Sequence, residues 1–205
     1  MKELDRREDL LEQLTNASPR TRLAFAAAIA ERLLPGAERP LTDWRRDAWP
    51  TLRGALDLVW AHLDGLELPM QRCVDLKETC YNQIPHDEDE DFGGEFGAQE
   101  AAIAVVYSLG LLINADPAHA VSAAIQSSSA IRNFLIFRKF PKPYSHRDTD
   151  EDAVFGSPNM QDEIQLQAGQ LELLKKNEKN EHDFVDALAR VKEESVQNPI
   201  KLTDS

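Results

Sequence analysis

Apolar residues recur along this chain at spacings of three and four and almost nowhere alternate with polar ones, a pattern that predicts amphipathic helices rather than strands. Leu4, Leu10, Leu11 and Leu14 mark a first short helix. Ser18-Pro19 then places a capping hydroxyl before a proline at the first helical position, and Leu23, Ala27, Ala30 and Leu34 carry a second helix that the pattern ends at Pro35-Gly36. Trp49-Pro50 opens a third, with Leu52, Leu56, Val59, Trp60 and Leu63 facing the core and Gly65 as terminator. Pro69 starts a fourth, whose predicted core side holds Met70, Cys73, Val74, Lys77, Cys80, Tyr81 and Ile84 before Pro85 stops it. The run Ala98 to Ile113 is apolar nearly all round, as expected of a central helix wrapped by neighbours.

Asp116-Pro117 repeats the cap-plus-proline signal ahead of Val121, Ala124, Ile125, Ser128, Ile131 and Leu135. Ser157-Pro158 repeats it again before a sparse stripe of Ile164, Ala168, Leu171, Leu174, Phe184, Val185, Leu188 and Val191, with a weak point near Asn177 to Asn180. Between the last two elements, residues 141–157 read as a long acidic surface loop rich in breakers. The tail 198–205 is expected to fray unless Ile200 and Leu202 dock on the body. The fold class that follows is all-α: a single domain over residues 1–205, a helical bundle of about six or seven helices around a central apolar helix.

Charge changes the picture of what such a bundle meets. With 36 acidic and 23 basic residues the 205-residue chain carries a formal net charge of −13, which disfavours a nucleic-acid backbone as partner. The basic group Arg138, Lys139 and Lys142, interleaved with Phe137, Phe140 and Tyr144, resembles a strand-stacking surface, but the acids from Asp148 onward oppose a phosphate backbone there. No run approaches the ~18 apolar residues of a membrane span, the first residues lack a secretory pattern, and a reducing cytoplasm is the expected address. Cys73 and Cys80 lie seven apart, roughly 10.5 Å along a helix, too far for a disulfide.

Four segments carry a resemblance: Leu23 to Leu34 with its Glu31-Arg32, the stretch Leu52-Arg53-Gly54-Ala55-Leu56-Asp57-Leu58-Val59-Trp60, Ile84-Pro85 followed by acids, and Asp162-Glu163-Ile164-Gln165. Together they resemble the YjaG-like family of uncharacterised bacterial proteins, domain-of-unknown-function family 416. The resemblance implies a compact all-α fold and a bacterial source. It implies no activity and carries over no functional residue. The acidic, proline-bearing loop from Pro141 to Pro158 is longer than the family pattern and departs from it.

Chemistry was sought motif by motif. His86-Asp87-Glu88-Asp89-Glu90-Asp91 offers alternating carboxylates for a hard cation, yet an EF-hand register puts Phe92 at the glycine turn and Ala98 at the closing glutamate. Gly93-Gly94-Glu95-Phe96-Gly97 follows no strand and lacks the Lys-Ser/Thr ending of a phosphate loop. Zinc-protease, paired-cysteine and nucleophile-elbow motifs are absent. Asp116 and His119 read as a cap and a surface histidine, His62 as a helix-end histidine, His146 as part of the acidic loop, Cys73 and Cys80 as core thiols, and Ser127-Ser128-Ser129 as a small patch permitting close helix approach. No catalytic residue, metal site or cofactor is assigned.

The leading expectation is a non-catalytic acidic interaction module, on the pattern of bacterial immunity or inhibitor proteins, that presents its acids to a basic partner protein. Its candidate partner-binding residues are Asp87, Glu88, Asp89, Glu90, Asp91, Trp44, Asp148, Asp150, Glu151 and Asp152. Two alternatives stay open: a small enzyme or ligand-binding domain with a cleft beside the central helix and His86 nearby, and a structural homo-oligomer. Neither nucleic acid nor membrane is an expected partner.

Overall fold

All three cap-plus-proline signals begin helices in the computed structural model, which describes residues 3–85, 97–139, 151–200 and 202. Those residues form nine helices and no strand: α1 (Glu3–Thr15), α2 (Pro19–Trp44), α3 (Ala48–Leu63), α4 (Met70–Tyr81), α5 (Ala98–Asn114), α6 (Pro117–Lys139), α7 (Glu151–Phe155), α8 (Pro158–Asn177) and α9 (Glu181–Gln197). The Ser18 hydroxyl accepts from the Thr21 N–H at 3.1 Å, Asp116 Oδ1 from the Ala118 N–H at 2.9 Å, and the Ser157 hydroxyl from the Met160 N–H at 3.4 Å. The chain breaks where the stripe weakens: Asn180 caps α9 through the His182 N–H at 3.1 Å.

Helix α5 lies at the centre, packed on α2, α3, α4 and α6. Ala101, Ala102, Ala104, Val105 and Leu109 are fully buried on it, and the short alanines let the equally alanine-rich Ala24, Ala27 and Ala28 of α2 come close. A smaller apolar cluster of Ile131, Ile136, Val154, Phe155 and Met160 sits beside the main one. The tail docks: Ile200 and Leu202 pack against both clusters. Gly97 makes this possible, since its φ of +85° suits glycine and a Cβ there would come within 2.5 Å of Leu202 Cδ1.

Three expectations are corrected. Helix α2 does not stop at Pro35-Gly36 but continues to Trp44 with Pro35 and Pro40 inside it. An interior proline costs ~3 kcal/mol, and here burial of Ala37, Pro40 and Leu41 outweighs it, while outside donors supply the proline turn: the Ile200 N–H bonds the Arg32 carbonyl at 2.9 Å and Trp49 Nε1 the Leu34 carbonyl at 3.4 Å. Helix α4 buries Cys73 and Cys80 but leaves Met70, Val74 and Tyr81 exposed, because α5 and α3 cover only the cysteine side. Within the predicted 141–157 loop, residues 151–155 form α7, drawn down by burial of Val154 and Phe155. No described helix is long and apolar enough to cross a membrane.

Candidate functional site

Helix α8 turns an unexpected face inward. Glu163, Gln167 and Gln170 recur at i, i+4 and i+7, and all three are buried. Arg32, fully buried on α2, meets them: its Nη2 donates to Glu163 Oε1 at 2.6 Å and its Nη1 to Gln170 Oε1 at 2.6 Å. Gln167 Nε2 donates to the same Glu163 oxygen at 2.6 Å and to the Ser127 hydroxyl at 2.7 Å. Arg6, reaching in from α1, donates to the Ser128 hydroxyl and to Gln167 Oε1. Gln170 Nε2 closes the far side on Glu194 and the Ser195 hydroxyl, each at 3.1 Å. Five helices are thus joined by one buried polar network. Arg32 Nε is left with no acceptor among the described residues, and Glu163 Oε2 with no donor.

A buried ion pair is poor evidence of net stability, because taking two charges out of water costs about what their attraction returns. Glu163, however, also lines a cleft of about 460 Å³ between α8, the end of α9 and the C-terminal segment. Asn159 and Asp162 flank it on α8, Gln197 and Asn198 face it across the gap, and Ile131 and Leu166 supply the apolar wall. Two carboxylates and three side-chain amides, with no cation among the described lining residues, favour a hydrogen-bond donor carrying positive charge.

A second charged cluster is closed. Glu31, 6% exposed, accepts Arg53 through both oxygens at 2.7 and 3.0 Å, and its Oε2 also accepts Trp60 Nε1 at 2.8 Å. Arg53 bonds Asp57 as well, at 2.7 Å. With both its oxygens bonded, Glu31 is a brace between α2 and α3, although Arg53 Nε has no acceptor among the described residues. Glu178 braces the start of α2 from the end of α8: the Ser18 N–H at 2.9 Å and the Thr21 hydroxyl at 2.8 Å hold its carboxyl below the usual range although burial pulls the other way.

The residues singled out from the sequence do not converge. Asp87, Glu88, Asp89, Glu90, Asp91, Asp148 and Asp150 lie outside the described residues, as do His86, His146 and the 93–94 glycines. Glu151 opens α7 and Asp152 is exposed on it. Trp44 ends α2 half-buried against the core, with the Arg45 guanidinium 4.5 Å above its ring. Neither Asp152 nor Trp44 lines the cleft. A pocket of about 320 Å³ does lie beside the end of α5, between Arg20, Leu23, His62, Leu111 and Leu112, but Arg20 is engaged by Glu181 at 2.6 Å and by the Leu63 carbonyl at 2.8 Å. His119 stands against Gly110 and Tyr107, where burial and then Lys77 lower its pKa. Both cysteines are free and buried, and desolvation pushes the Cys80 thiol up to about 12. No group of three or more His, Cys, Asp or Glu among the described residues is placed to hold a metal ion.

Sequence reasoning passed over Glu163, Gln167, Gln170 and Arg6 because charged and amide side chains on a sparse helix read as its solvated face. A signal was present. Glu31-Arg32, Arg53 to Trp60 and Asp162-Glu163 are the segments that carry the family resemblance, and in space they meet: Glu31 joins Arg53 and Trp60 while its neighbour Arg32 joins Glu163. Their charges at core-facing positions, more than their apolar residues, are what the segments share.

Comparison with known proteins points the same way for the fold. The family described as protein of unknown function (DUF416) matches residues 9–198. A crystal structure of a DUF416 family protein from Shewanella baltica OS155 is similar at a TM-score of 0.68 and 21% identity, covering 93% of this chain and 97% of that one. No curated protein matches the chain.

Proposed function

This chain belongs to the DUF416 family, and on that premise we propose that it is a non-catalytic binding module that receives a cationic side chain of a basic partner protein. The observation that carries the reading is the cleft at α8, whose Glu163 keeps one oxygen bound to Arg32 and Gln167 and offers the other beside Asp162. Its volume, about 460 Å³, falls in the range of pockets that hold small ligands, roughly 300–1,000 Å³. A lysine or arginine end group entering it gains charge-assisted hydrogen bonds that a neutral donor makes more weakly and an anion cannot make. The net charge of −13 supports the partner's sign, and the acids at 87–91 and 148–152 serve to steer it at long range rather than to seat it.

Fluorescence anisotropy with a labelled arginine-rich peptide tests this reading. The wild type is expected to bind it with affinity that falls as salt rises, and Asp162→Asn to weaken binding about tenfold, the worth of ~1.4 kcal/mol. Equal affinity for an acidic peptide of the same length would refute it. A homo-oligomer is a second reading, favoured by the exposed Met70, Val74 and Tyr81 along α4 and Leu66 in the connection before it. Sedimentation of the wild type beside Val74→Glu and Met70→Glu decides it: a dimer that the substitutions dissociate supports it, and a monomer throughout removes it.

A further inference from the structure

We infer that residues 198–200, together with Leu202, are a latch beside the binding cleft, fastened at one end by the Ile200 backbone and at the other by the Leu202 side chain. Asn198, Pro199 and Ile200 form one wall of the cleft. Helix α9 ends when the Asn198 N–H turns back to the Glu194 carbonyl at 3.0 Å, and the chain then crosses the proline turn of α2. There the Ile200 N–H bonds the Arg32 carbonyl at 2.9 Å. The segment runs close over α2 here, the Ile200 carbonyl oxygen lying in ordinary contact distance, 3.6 Å, of the place a Cβ on Gly36 would take. Leu202 then seats against Gly97, just before α5.

Arg32 is the point where latch and site meet. Its guanidinium fixes Glu163, the cleft's carboxylate, while its carbonyl holds the segment that walls the cleft. Two half-buried side chains and one backbone hydrogen bond fasten the strap to the body, far fewer contacts than secure any core helix, so it opens locally at a small fraction of the free energy of global unfolding. Opening removes one wall of the cleft and so widens the approach to Glu163, while the Glu163 bonds to the Arg32 and Gln167 side chains do not involve the segment.

The latch rests on the cleft being a binding site, but its test does not need a ligand. A Leu166→Cys protein carries a reporter thiol in the cleft, while Cys73 and Cys80 are buried. Labelling of that thiol by a maleimide is measured alone and with Leu202→Ala, and again with Ile200→Pro, which removes the N–H that bonds Arg32. Far-UV circular dichroism checks that each protein is folded. The expected result is labelling faster by about fivefold or more in both latch variants with unchanged helix content. Unchanged labelling in the two folded variants would overturn the latch. The arginine-rich peptide, titrated in parallel, separates the two ideas: faster association with the variants supports the latch as a gate, the same rate with faster labelling overturns it as a gate, and peptide bound by no form of the protein refutes the cationic-ligand reading while the labelling rates still judge the latch.

Discussion

Helices α5 and α8 are both built into the interior, and they are held there by opposite means. Apart from Glu100 in its first turn, which accepts from Asn133 Nδ2 at 2.8 Å, every inward position of α5 is apolar or small, so the helix is stabilised by close packing and by release of water from hydrocarbon. Helix α8 buries Met160, Leu171 and Leu174 at its ends and Glu163, Gln167 and Gln170 in between, where it bonds the Arg32 and Arg6 guanidiniums and the Ser127 and Ser195 hydroxyls directly. Apolar packing tolerates any neighbour of suitable volume, whereas a network of matched donors and acceptors accepts one register only. The lesson is that the interior at α8 is specified for geometry, and that geometry reaches a concave surface at Glu163.

The contrast is broken most severely on the α5 side. Val105→Asp puts an unpaired charge at a fully buried position, and a loss of more than ~4 kcal/mol is expected, seen as the absence of a cooperative melt. On the α8 side, Arg32→Met strands the Glu163 carboxylate and is expected to cost about 3–5 kcal/mol in urea denaturation, whereas adding Glu163→Leu to it restores most of that loss. If the double variant were as unstable as the sum of the two singles, the network would be a source of net stability and the comparison would fail.

A smaller effect separates the ends of α8 from its middle. Glu178 has a folded pKa below its unfolded one, so its stabilisation is present above the ordinary carboxylate range and is lost as pH falls through the folded value. Glu178→Gln is expected to cost about 1 kcal/mol at neutral pH, the usual worth of a helix cap, and less than half that at pH 3. An equal cost at both pH values would remove the charge from the explanation. Smallest of all, Asp152→Asn on the exposed side of α7 is expected to stay within ~0.5 kcal/mol. A larger shift in its melting curve would assign that acid a structural partner.

The same contrast explains what was legible in the sequence. The all-α class, the central helix, the three capped starts and the break near Asn177 follow from periodicity and capping chemistry, which are local. The continuation of α2 through Pro35 was not legible, because the groups that make it tolerable, Ile200 and Trp49, lie far along the chain. Val74 and Tyr81 share a helical stripe with buried residues but face outward, since only neighbours decide which edge of a broad stripe is covered. The cleft was the least legible of all: Glu163 and Arg32 are separated by 131 residues, and no pattern within either helix says that one neutralises the other.

The most direct test of the site is to see where a cationic ligand lands. In amide chemical-shift mapping of the ¹⁵N-labelled protein titrated with the arginine-rich peptide, the largest shifts are expected at Asn159, Asp162 and Glu163 on α8 and at Gln197, Asn198 and Ile200 across the cleft, with Asp162→Asn abolishing them at the same peptide concentration. Shifts confined to the acidic stretches at 87–91 and 148–152, or centred on Met70 to Tyr81 of α4, with the α8 amides unmoved, would contradict it.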